Sequence, residues 1–293
     1  MTAGNFRERC RIRKGEIRMI YEAKGTKQVA ELFAGWQETM VWSCLQGVMG
    51  RLYADAEERP GAVMAILGDF CFFAGAPNRE LAAYRPDWRR QDFIIMTANS
   101  PDWFEMIESV YGDKAKKVSR YAMKKEEGAF DREKLLDLAS AIDSAYRLQM
   151  MDREWFSRCK EQEWSRDFVS LYADYEEYRR IGLGVVALKG GELVAGASSY
   201  SSYQGGIEIE IDTKEEYRRQ GLATACGARL VLECLDRGLY PSWDAQNLWS
   251  VALAEKLGYH LDHEYTAYEI TEYDFLEVLD KNNAVRYTEH SSY

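Results

Sequence analysis

The chain reads IEIEIDTKEEYRRQGLAT from Ile207 to Thr224, and the spacing of its apolar residues changes partway along. Isoleucines alternate with acidic residues over 207–212, which is the two-residue period of a half-buried strand. From about residue 217 to residue 237 the apolar residues recur three or four positions apart, as they do in a helix. The stretch therefore predicts a strand that leads through a short polar turn into a long helix.

The turn between these two elements has the chemistry of an anion site. A helix that begins near Arg219 leaves its first amide N–H groups without internal partners, at the positive end of the helix dipole. Gly221 lets the backbone come close to a ligand, and Arg218 and Arg219 add positive charge. Charge-assisted hydrogen bonds to an anion contribute about 1.5–3 kcal/mol each. The pattern predicts a site for a pyrophosphate, although an ordinary basic start of a helix would have the same local sequence.

Residues 218–223, RRQGLA, match the Q/R-x-x-G-x-G/A signature of the GCN5-related N-acetyltransferases, and the chain resembles that family. Residues 243–259, WDAQNLWSVALAEKLGY, look like the family's fifth strand and fourth helix. The resemblance covers roughly residues 119–271. It implies an α+β fold with a twisted mixed sheet and helices on both faces, in which acetyl-CoA is the co-substrate and the acetyl group passes directly to an amine.

The resemblance also implies where acetyl-CoA binds. Backbone groups of Ile211 and Thr213 would hold the pantetheine arm, and the amides of residues 219–224 would hold the pyrophosphate. Asn247 would contact the pantetheine or the thioester, or would simply cap the following helix. The expected cofactor-binding set is Ile211, Thr213, Arg218, Arg219, Gly221, Leu222, Ala223, Thr224, Asn247 and Ser250.

Direct acetyl transfer needs a neutral amine, so a base is expected in the cleft. Family members often place a carboxylate on the fourth strand, where this chain has Glu208 and Glu210, although either could be structural. Many members also carry a tyrosine in the fourth helix that protonates the leaving thiolate, and here that position is Ala254. Tyr259 is the expected catalytic replacement, with core packing as its alternative; further candidates are Tyr265 and Tyr268.

Composition excludes several classes of protein. The 293 residues are 46% hydrophobic, and the net charge of −10 argues against a nucleic-acid surface. The acidic surface would draw cationic substrates toward a cleft, or it serves only to keep the protein in solution. Six scattered cysteines without a C-x-x-C pair predict reduced thiols. No apolar run is long enough to span a membrane, so a cytoplasmic protein is expected. His260 and His263 would face opposite sides of a strand, and no metal site is expected.

Three segments are predicted along the chain. Residues 1–18 form a basic leader that we expect to be disordered. Residues 19–117 form a smaller α+β domain with helices over 27–53, strands at 63–67, 70–74 and 93–96, and a helix after Pro101; it could be a degenerate copy of the same fold. Residues 118–293 form the acetyltransferase domain, with helices at 132–150 and 152–174 before the signature.

The function that follows is transfer of an acetyl group from acetyl-CoA to a primary amine of a small molecule. The two-domain layout is loosely similar to bacterial zwittermicin-resistance acetyltransferases. A non-catalytic acyl-CoA-binding module and a protein N-acetyltransferase are the alternatives, and a homodimer is possible. The acceptor pocket is expected over residues 147–164, where Met150, Met151, Trp155 and Phe156 would line a pocket or simply pack in the core.

Overall fold

The structure is a computed structural model that describes residues 19–89 and 91–271. The predicted leader, residues 1–18, lies outside the described residues. The elements up to residue 123 are β1 (Tyr21–Ala23), α1 (Lys27–Leu32), α2 (Thr39–Gln46), β2 (Arg51–Ala54), β3 (Ala62–Leu67), β4 (Phe70–Gly75), α3 (Arg79–Ala82), β5 (Ile94–Ala98), α4 (Pro101–Tyr111) and β6 (Ala115–Met123).

The second part of the described chain contains the signature. Its elements are α5 (Arg132–Ser140), β7 (Tyr146–Met150), α6 (Arg153–Glu161), α7 (Tyr175–Ile181), β8 (Gly184–Lys189), β9 (Glu192–Tyr203), β10 (Gly206–Thr213), α8 (Leu222–Asp236), β11 (Tyr240–Ser242), β12 (Asp244–Ala245), α9 (Leu248–Leu257) and β13 (Leu261–Ile270). The predicted strand, turn and long helix are confirmed as β10 and α8, and the mixed α+β fold class is confirmed with them.

Three predicted helical segments are wrong in part. Residues 146–150 form strand β7 instead of continuing a helix, because they pair antiparallel with β8 and gain a full ladder of backbone hydrogen bonds. The helix predicted over 152–174 ends at Glu161 and is followed by a short 3₁₀ segment. In the first part, the helical pattern stops at Gln46 and Arg51–Ala54 is a strand.

Two mixed sheets carry the fold. One has the strand order β1-β2-β3-β4-β5-β13-β6-β12, and the other has the order β11-β10-β9-β8-β7. Pairing is parallel between β4 and β5 and between β10 and β11, and the other recorded strand pairs are antiparallel. The chain passes from the second sheet to the first at Trp243, the single residue between β11 and β12.

The two parts of the chain repeat one order of elements. Each part has a first strand, one or more helices, three antiparallel strands, a helix, a strand that returns parallel, another helix and a last strand. The last strands, β6 and β13, lie side by side, and each pairs with the other part: β6 with β12, and β13 with β5. The predicted boundary between residues 117 and 118 therefore falls inside β6, and the division into two domains stays a prediction.

The apolar cores cross this boundary as well. One cluster of buried residues joins α1, α2 and strands β2 to β5 with α6, α7, β8 and β9, and it includes Ala267 of β13. A second cluster lies around α8 and α9, and a third lies beneath α4 and takes Tyr268 and Ile270 from β13. The second part is thus packed directly against the first, including the N-terminal end of α2.

Candidate active site

The signature turn leaves the N-terminus of α8 open. Gly221 is the N-cap residue, and no side chain of the described residues caps the helix there. The first amide N–H groups of α8 are therefore available to a ligand, with the helix dipole behind them. Arg218 is partly held within the turn, since its Nε donates to the carbonyl oxygen of Thr213 at 3.1 Å.

The backbone of this turn is strained in a way that glycine relieves. Gly221 has a φ of 82°, in the left-handed region, and a Cβ placed on it would meet nothing within 4 Å. Arg219 has a φ of 63° and is the one non-glycine residue with positive φ among the described residues. Such a conformation costs about 1–2 kcal/mol for a side-chain-bearing residue. The open space over Gly221 is what a close approach by a phosphate requires.

A gap opens between β10 and the strand that follows α8. The two are paired in parallel over Gly206–Glu208 and Tyr240–Ser242 only. β10 then continues along β9 to Thr213, while the chain after Trp243 turns away and pairs with β6. Strand residues 209–213 are thus left without a partner on one edge, and this edge leads toward the open N-terminus of α8.

Glu208 lies where this gap begins, and it is buried, with 6% of its surface exposed. Its Oε2 accepts a hydrogen bond from the hydroxyl of Thr39, and its Oε1 is buried without a partner among the described residues. Burial raises the pKa of Glu208 to about 7; Asp244 contributes to the rise, while Lys125 and the Thr39 hydrogen bond oppose it. A carboxylate with this pKa can accept a proton near neutral pH.

Glu208 is part of the wall of a cavity of about 320 Å³. Five carboxylates and two lysines line it, together with His263 and several apolar residues; the charged residues are Glu38, Glu126, Glu208, Asp244, Asp262, Lys124 and Lys125. Burial raises the pKa of Glu38 as well, against the effects of backbone N–H groups and Lys125. The excess of carboxylates suits an amine better than an anionic acceptor.

Asp244 is fixed by two neighbours from the central strands. Arg120 on β6 contacts its Oδ1 through Nε at 2.7 Å, and Tyr265 on β13 donates to its Oδ2 at 2.7 Å. Burial alone would lower the pKa of Arg120, but Asp244 and Tyr265 raise it above its ordinary value. The guanidinium also lies 4.8 Å from the ring centre of Phe70 on β4. The contacts among Arg120, Asp244, Tyr265 and Phe70 thus connect the wall of the cavity to both parts of the chain.

Glu210 has different surroundings from Glu208. It is half-buried and is absent from the lining of the cavity. Burial, followed by the charges of Asp167 and Asp212, raises its pKa to about 8. Its predicted catalytic role stays a prediction, and the geometry favours Glu208.

The other predicted site residues divide into two groups. Leu222 and Thr224 are buried in the first turn of α8, and Ala223 is half-buried beside them. Asn247 caps α9, since its Oδ1 accepts from the amide of Ser250 at 3.0 Å. The hydroxyl of Ser250 in turn accepts from the indole of Trp243 at 3.0 Å. Asn247 and Ser250 thus form the start of α9, beside the gap.

Tyr259 lies in the core and not on the wall of the cavity. Its hydroxyl donates to the carbonyl oxygen of Pro241 at 2.6 Å, and its ring packs against Phe130 and Trp243. Burial raises its pKa well above the ordinary value. These contacts describe a structural tyrosine, so we assign no proton transfer to it.

Residues 147–164, where the acceptor pocket is predicted, are absent from the wall of this cavity. In that region, Trp155 and Phe156 are buried in the shared core, and the position of the acceptor stays a prediction. The cavity is lined instead by residues 37–40 from the first part of the chain, by residues 122–126, and by Asp262, His263 and Tyr265. Asp244 lies within the quoted motif, but no local pattern marks Thr39 or Lys125.

The two histidines bind carboxylates. His260 Nδ1 contacts Glu126 at 2.6 Å, and His263 Nδ1 contacts Asp262 at 2.9 Å. Within residues 19–89 and 91–271, no group of three or more His, Cys, Asp and Glu side chains is arranged to hold a metal ion. No helix in these ranges has the length and apolarity needed to cross a membrane.

A sequence profile described as GNAT acetyltransferase matches residues 30–268, which is most of the chain. The chain belongs to the GNAT acetyltransferase family. It is therefore an acyltransferase, and the family generally uses acyl-CoA donors. The open amides of α8, the space over Gly221 and the unpaired edge of β10 fit such a donor.

Known relatives agree with this assignment. An uncharacterized N-acetyltransferase of Bacillus subtilis (strain 168), YdfB, is 29% identical over 247 residues, which are 78% of this chain and 89% of that protein. The crystal structure of a GCN5-related N-acetyltransferase-like protein from Streptococcus suis is 46% identical and has a TM-score of 0.80, covering 84% of this chain and 98% of that chain. A GCN5-related N-acetyltransferase from Sphaerobacter thermophilus is 12% identical with a TM-score of 0.51 over 86% of this chain and 95% of that chain, and shows likeness of fold alone.

Proposed function

We propose that this acyltransferase transfers an acetyl group from acetyl-CoA to a primary amine of a small molecule, with Glu208 as the general base. The observation that carries the proposal is the position of Glu208, which is buried where β10 separates from its neighbour and forms part of the wall of a cavity of about 320 Å³. A cavity of this size suits a small acceptor better than a protein side chain with its flanking backbone.

Different residues of the gap would bind different portions of the donor. The main-chain N–H groups of residues 221–224 would hold the pyrophosphate, with Arg218 and Arg219 as countercharges. Backbone groups of Ile211 and Thr213, on the edge of β10 that has no partner strand among the described residues, would hold the pantetheine arm. For Thr213 this means exchanging the present contacts of its N–H with Asp212 and of its carbonyl with Arg218. The start of α9, with Asn247 and Ser250, lies across the gap. When bound there, acetyl-CoA supplies the activated thioester carbonyl.

Glu208 then removes a proton from the acceptor. An alkyl ammonium with a pKa of about 10.4 needs about 4.6 kcal/mol to lose its proton at pH 7, so a base beside it accelerates the reaction. The amine nitrogen forms a bond to the acetyl carbon, the carbon–sulfur bond breaks, and the thiolate leaves with the electron pair. Glu208 takes the proton that the ammonium loses before attack, and the second proton, which the nitrogen loses as it becomes an amide, passes to water or to the departing thiolate. With a pKa near 8.5, the thiol of coenzyme A can leave as a thiolate without a dedicated acid.

Replacing Glu208 by glutamine tests this proposal. We expect Glu208→Gln to lower kcat/KM by roughly 10²–10⁴-fold in a thiol-release assay with a panel of small amines, because the amide cannot accept the proton. Calorimetry should show unchanged acetyl-CoA binding. In the parent enzyme, kcat/KM should rise with pH through an apparent pKa of about 7, as Glu208 ionises.

Glu210→Gln is the matched control, because it makes the same change two residues along the same strand. It should retain most of the activity. Full activity in Glu208→Gln would overturn the assignment of the base, and failure of the parent chain to bind acetyl-CoA would overturn the donor.

A further inference from the structure

The N-terminal end of α2 reaches the active site from the first part of the chain. Thr39 and Ser43 lie one turn apart on this helix, and their exposed fractions are 1% and 0%. The Ser43 hydroxyl donates to the carbonyl oxygen of Ser202 on β9 at 2.6 Å. The Thr39 hydroxyl donates to Oε2 of Glu208 on β10. Two buried hydroxyls therefore join one face of α2 to two neighbouring strands of the second part.

The two contacts differ in what they hold. Ser43 binds a backbone carbonyl, which is fixed by the β-sheet itself. Thr39 binds a side-chain carboxylate that has several rotatable bonds and an otherwise unpartnered second oxygen. Ser201, directly across from Glu208 in the sheet, also has a buried hydroxyl without a partner among the described residues. Among the described residues, the Thr39 hydroxyl is thus the hydrogen-bond donor that fixes the orientation of the Glu208 carboxylate.

We propose that Thr39 is a positioning residue of the active site: it holds Oε2 of Glu208 so that Oε1 is left to receive the proton of the acceptor amine. This inference rests on the proposed role of Glu208 as the base. The first part of the chain thereby contributes directly to catalysis in the second part, through a contact between residues 169 positions apart.

The hydrogen bond also sets the protonation of Glu208. A donor to a carboxylate stabilises its ionised form, and Thr39 lowers the pKa of Glu208 in this way. The other charged and titratable groups that interact with Glu208 come from the surrounding strands and loops: Lys125, Asp244, Arg120, Tyr203, Tyr240 and Tyr259. None of these changes when the Thr39 hydroxyl is removed.

Thr39→Val removes the hydroxyl and keeps the shape of the side chain. The rising limb of the pH profile of kcat/KM should move upward by roughly 1–2 pH units, since a hydrogen bond to an ionised group is lost. At pH 7 the activity should then fall about 5- to 50-fold, because the ionised fraction of Glu208 falls by that factor. Thr39→Ser, which restores a hydroxyl, should return the profile to within a few tenths of a unit of the parent.

Ser43→Ala is the matched control, because it removes a buried hydroxyl from the same face of α2 that also binds the second part. It should lower the melting temperature without moving the pH profile. An unshifted profile in Thr39→Val, or an equal shift in Ser43→Ala, would overturn the proposal.

A second measurement separates this inference from the proposed function. In full-length protein with ¹³C-labelled glutamate carboxyls, the resonance of Glu208 is assigned by its loss in Glu208→Gln and titrated directly. Its pKa should rise in Thr39→Val and stay in place in Ser43→Ala. This titration decides the role of Thr39 even if no amine in the panel is acetylated. If amines are acetylated but the pKa of Glu208 is the same in Thr39→Val as in the parent, this inference fails and the proposed function stands.

Discussion

At the scale of a residue, Glu208 and Glu210 show that the surroundings of a carboxylate determine what it can do chemically. The two glutamates lie on one strand, two positions apart, and burial raises the pKa of each. Glu208 faces a cavity, a threonine donor and Lys125, whereas Glu210 has Asp167 and Asp212 as its charged neighbours. A raised pKa by itself therefore does not identify a base. Access to a cavity is a further criterion, and of these two glutamates Glu208 is the one that lines it.

Tyr259 provides a prediction at the same scale. We expect Tyr259→Phe to lower the free energy of unfolding by about 1–3 kcal/mol, because the buried carbonyl of Pro241 loses its donor. The kcat/KM value should stay within a factor of about two, since the hydroxyl takes no part in the chemistry. Urea unfolding and steady-state kinetics measure the two effects.

Tyr111→Phe is a suitable control, since the Tyr111 hydroxyl also donates to a buried backbone carbonyl, that of Ala82, at 2.8 Å. Both variants should be destabilised and active. A loss of activity of 10-fold or more in Tyr259→Phe alone would restore the catalytic role that the sequence indicated.

At the scale of elements, the segment from β10 through the turn to α8 contains both the predicted pyrophosphate site and the strained backbone at Arg219. Two residues of the turn, Arg219 and Gly221, have positive φ, with Gln220 between them. The turn then leads into a 15-residue helix that has no side-chain cap among the described residues. The corresponding place in the first part of the chain differs. There, α3 is four residues long, and Asn78 caps it through a bond from the amide of Leu81. Of these two corresponding helices, α8 is the long one whose N-terminus has no side-chain cap.

Gly221→Ala tests the turn. We expect it to destabilise the fold by about 1–2 kcal/mol, because alanine at a φ of 82° is strained. It should also weaken acetyl-CoA binding about 10-fold or more, since relief of the strain moves the amides that hold the pyrophosphate. Isothermal titration calorimetry with acetyl-CoA measures the binding change.

Gly190→Ala is the control that separates the effect of backbone strain on stability from the effect on acetyl-CoA binding. Gly190 lies in the β8–β9 hairpin with a φ of 58°, and a Cβ there would also meet nothing within 4 Å. The two variants should lose similar stability, and only Gly221→Ala should lose affinity. Equal affinities in both variants would remove this turn from the binding site.

At the scale of the whole molecule, the two repeated parts share strands and a core. Strand β13 pairs with β5 over Tyr268–Ile270, and the core cluster that begins at Val29 includes Ala267 of β13. The wall of the cavity is shared in the same way, since residues 37–40 line it together with Asp262, His263 and Tyr265. The first part is therefore a structural component of the candidate active site.

This sharing predicts cooperative unfolding. The full chain should unfold in a single urea transition, with tryptophan fluorescence and circular dichroism changing together. A fragment of residues 113–293, which keeps β6 whole, should be much less stable or unfolded, because β13 loses its partner β5 and an apolar face becomes exposed. A fragment with the same urea midpoint as the full chain would show instead that the second part is an independent domain.

The sequence by itself determined the local features of this protein. The change of period at residues 207–224 determined the strand, the turn and the helix, and the RRQGLA and WDAQN motifs identified the family. These features depend on residues within a few positions of one another, so a single stretch of sequence contains them. The helix predicted through residues 146–150 failed because a strand's partner lies elsewhere in the chain.

The tertiary structure alone showed which of the predicted carboxylates lines a cavity and which distant segments form its wall. Both depend on burial and on electrostatic neighbours that come from distant parts of the chain, such as Thr39 beside Glu208 and Arg120 beside Asp244. The pKa of a group is set by the dielectric and the charges around it in space, and sequence spacing does not record these. The fold brings residues 37–40 to the cleft because α2 packs against β9 and β10.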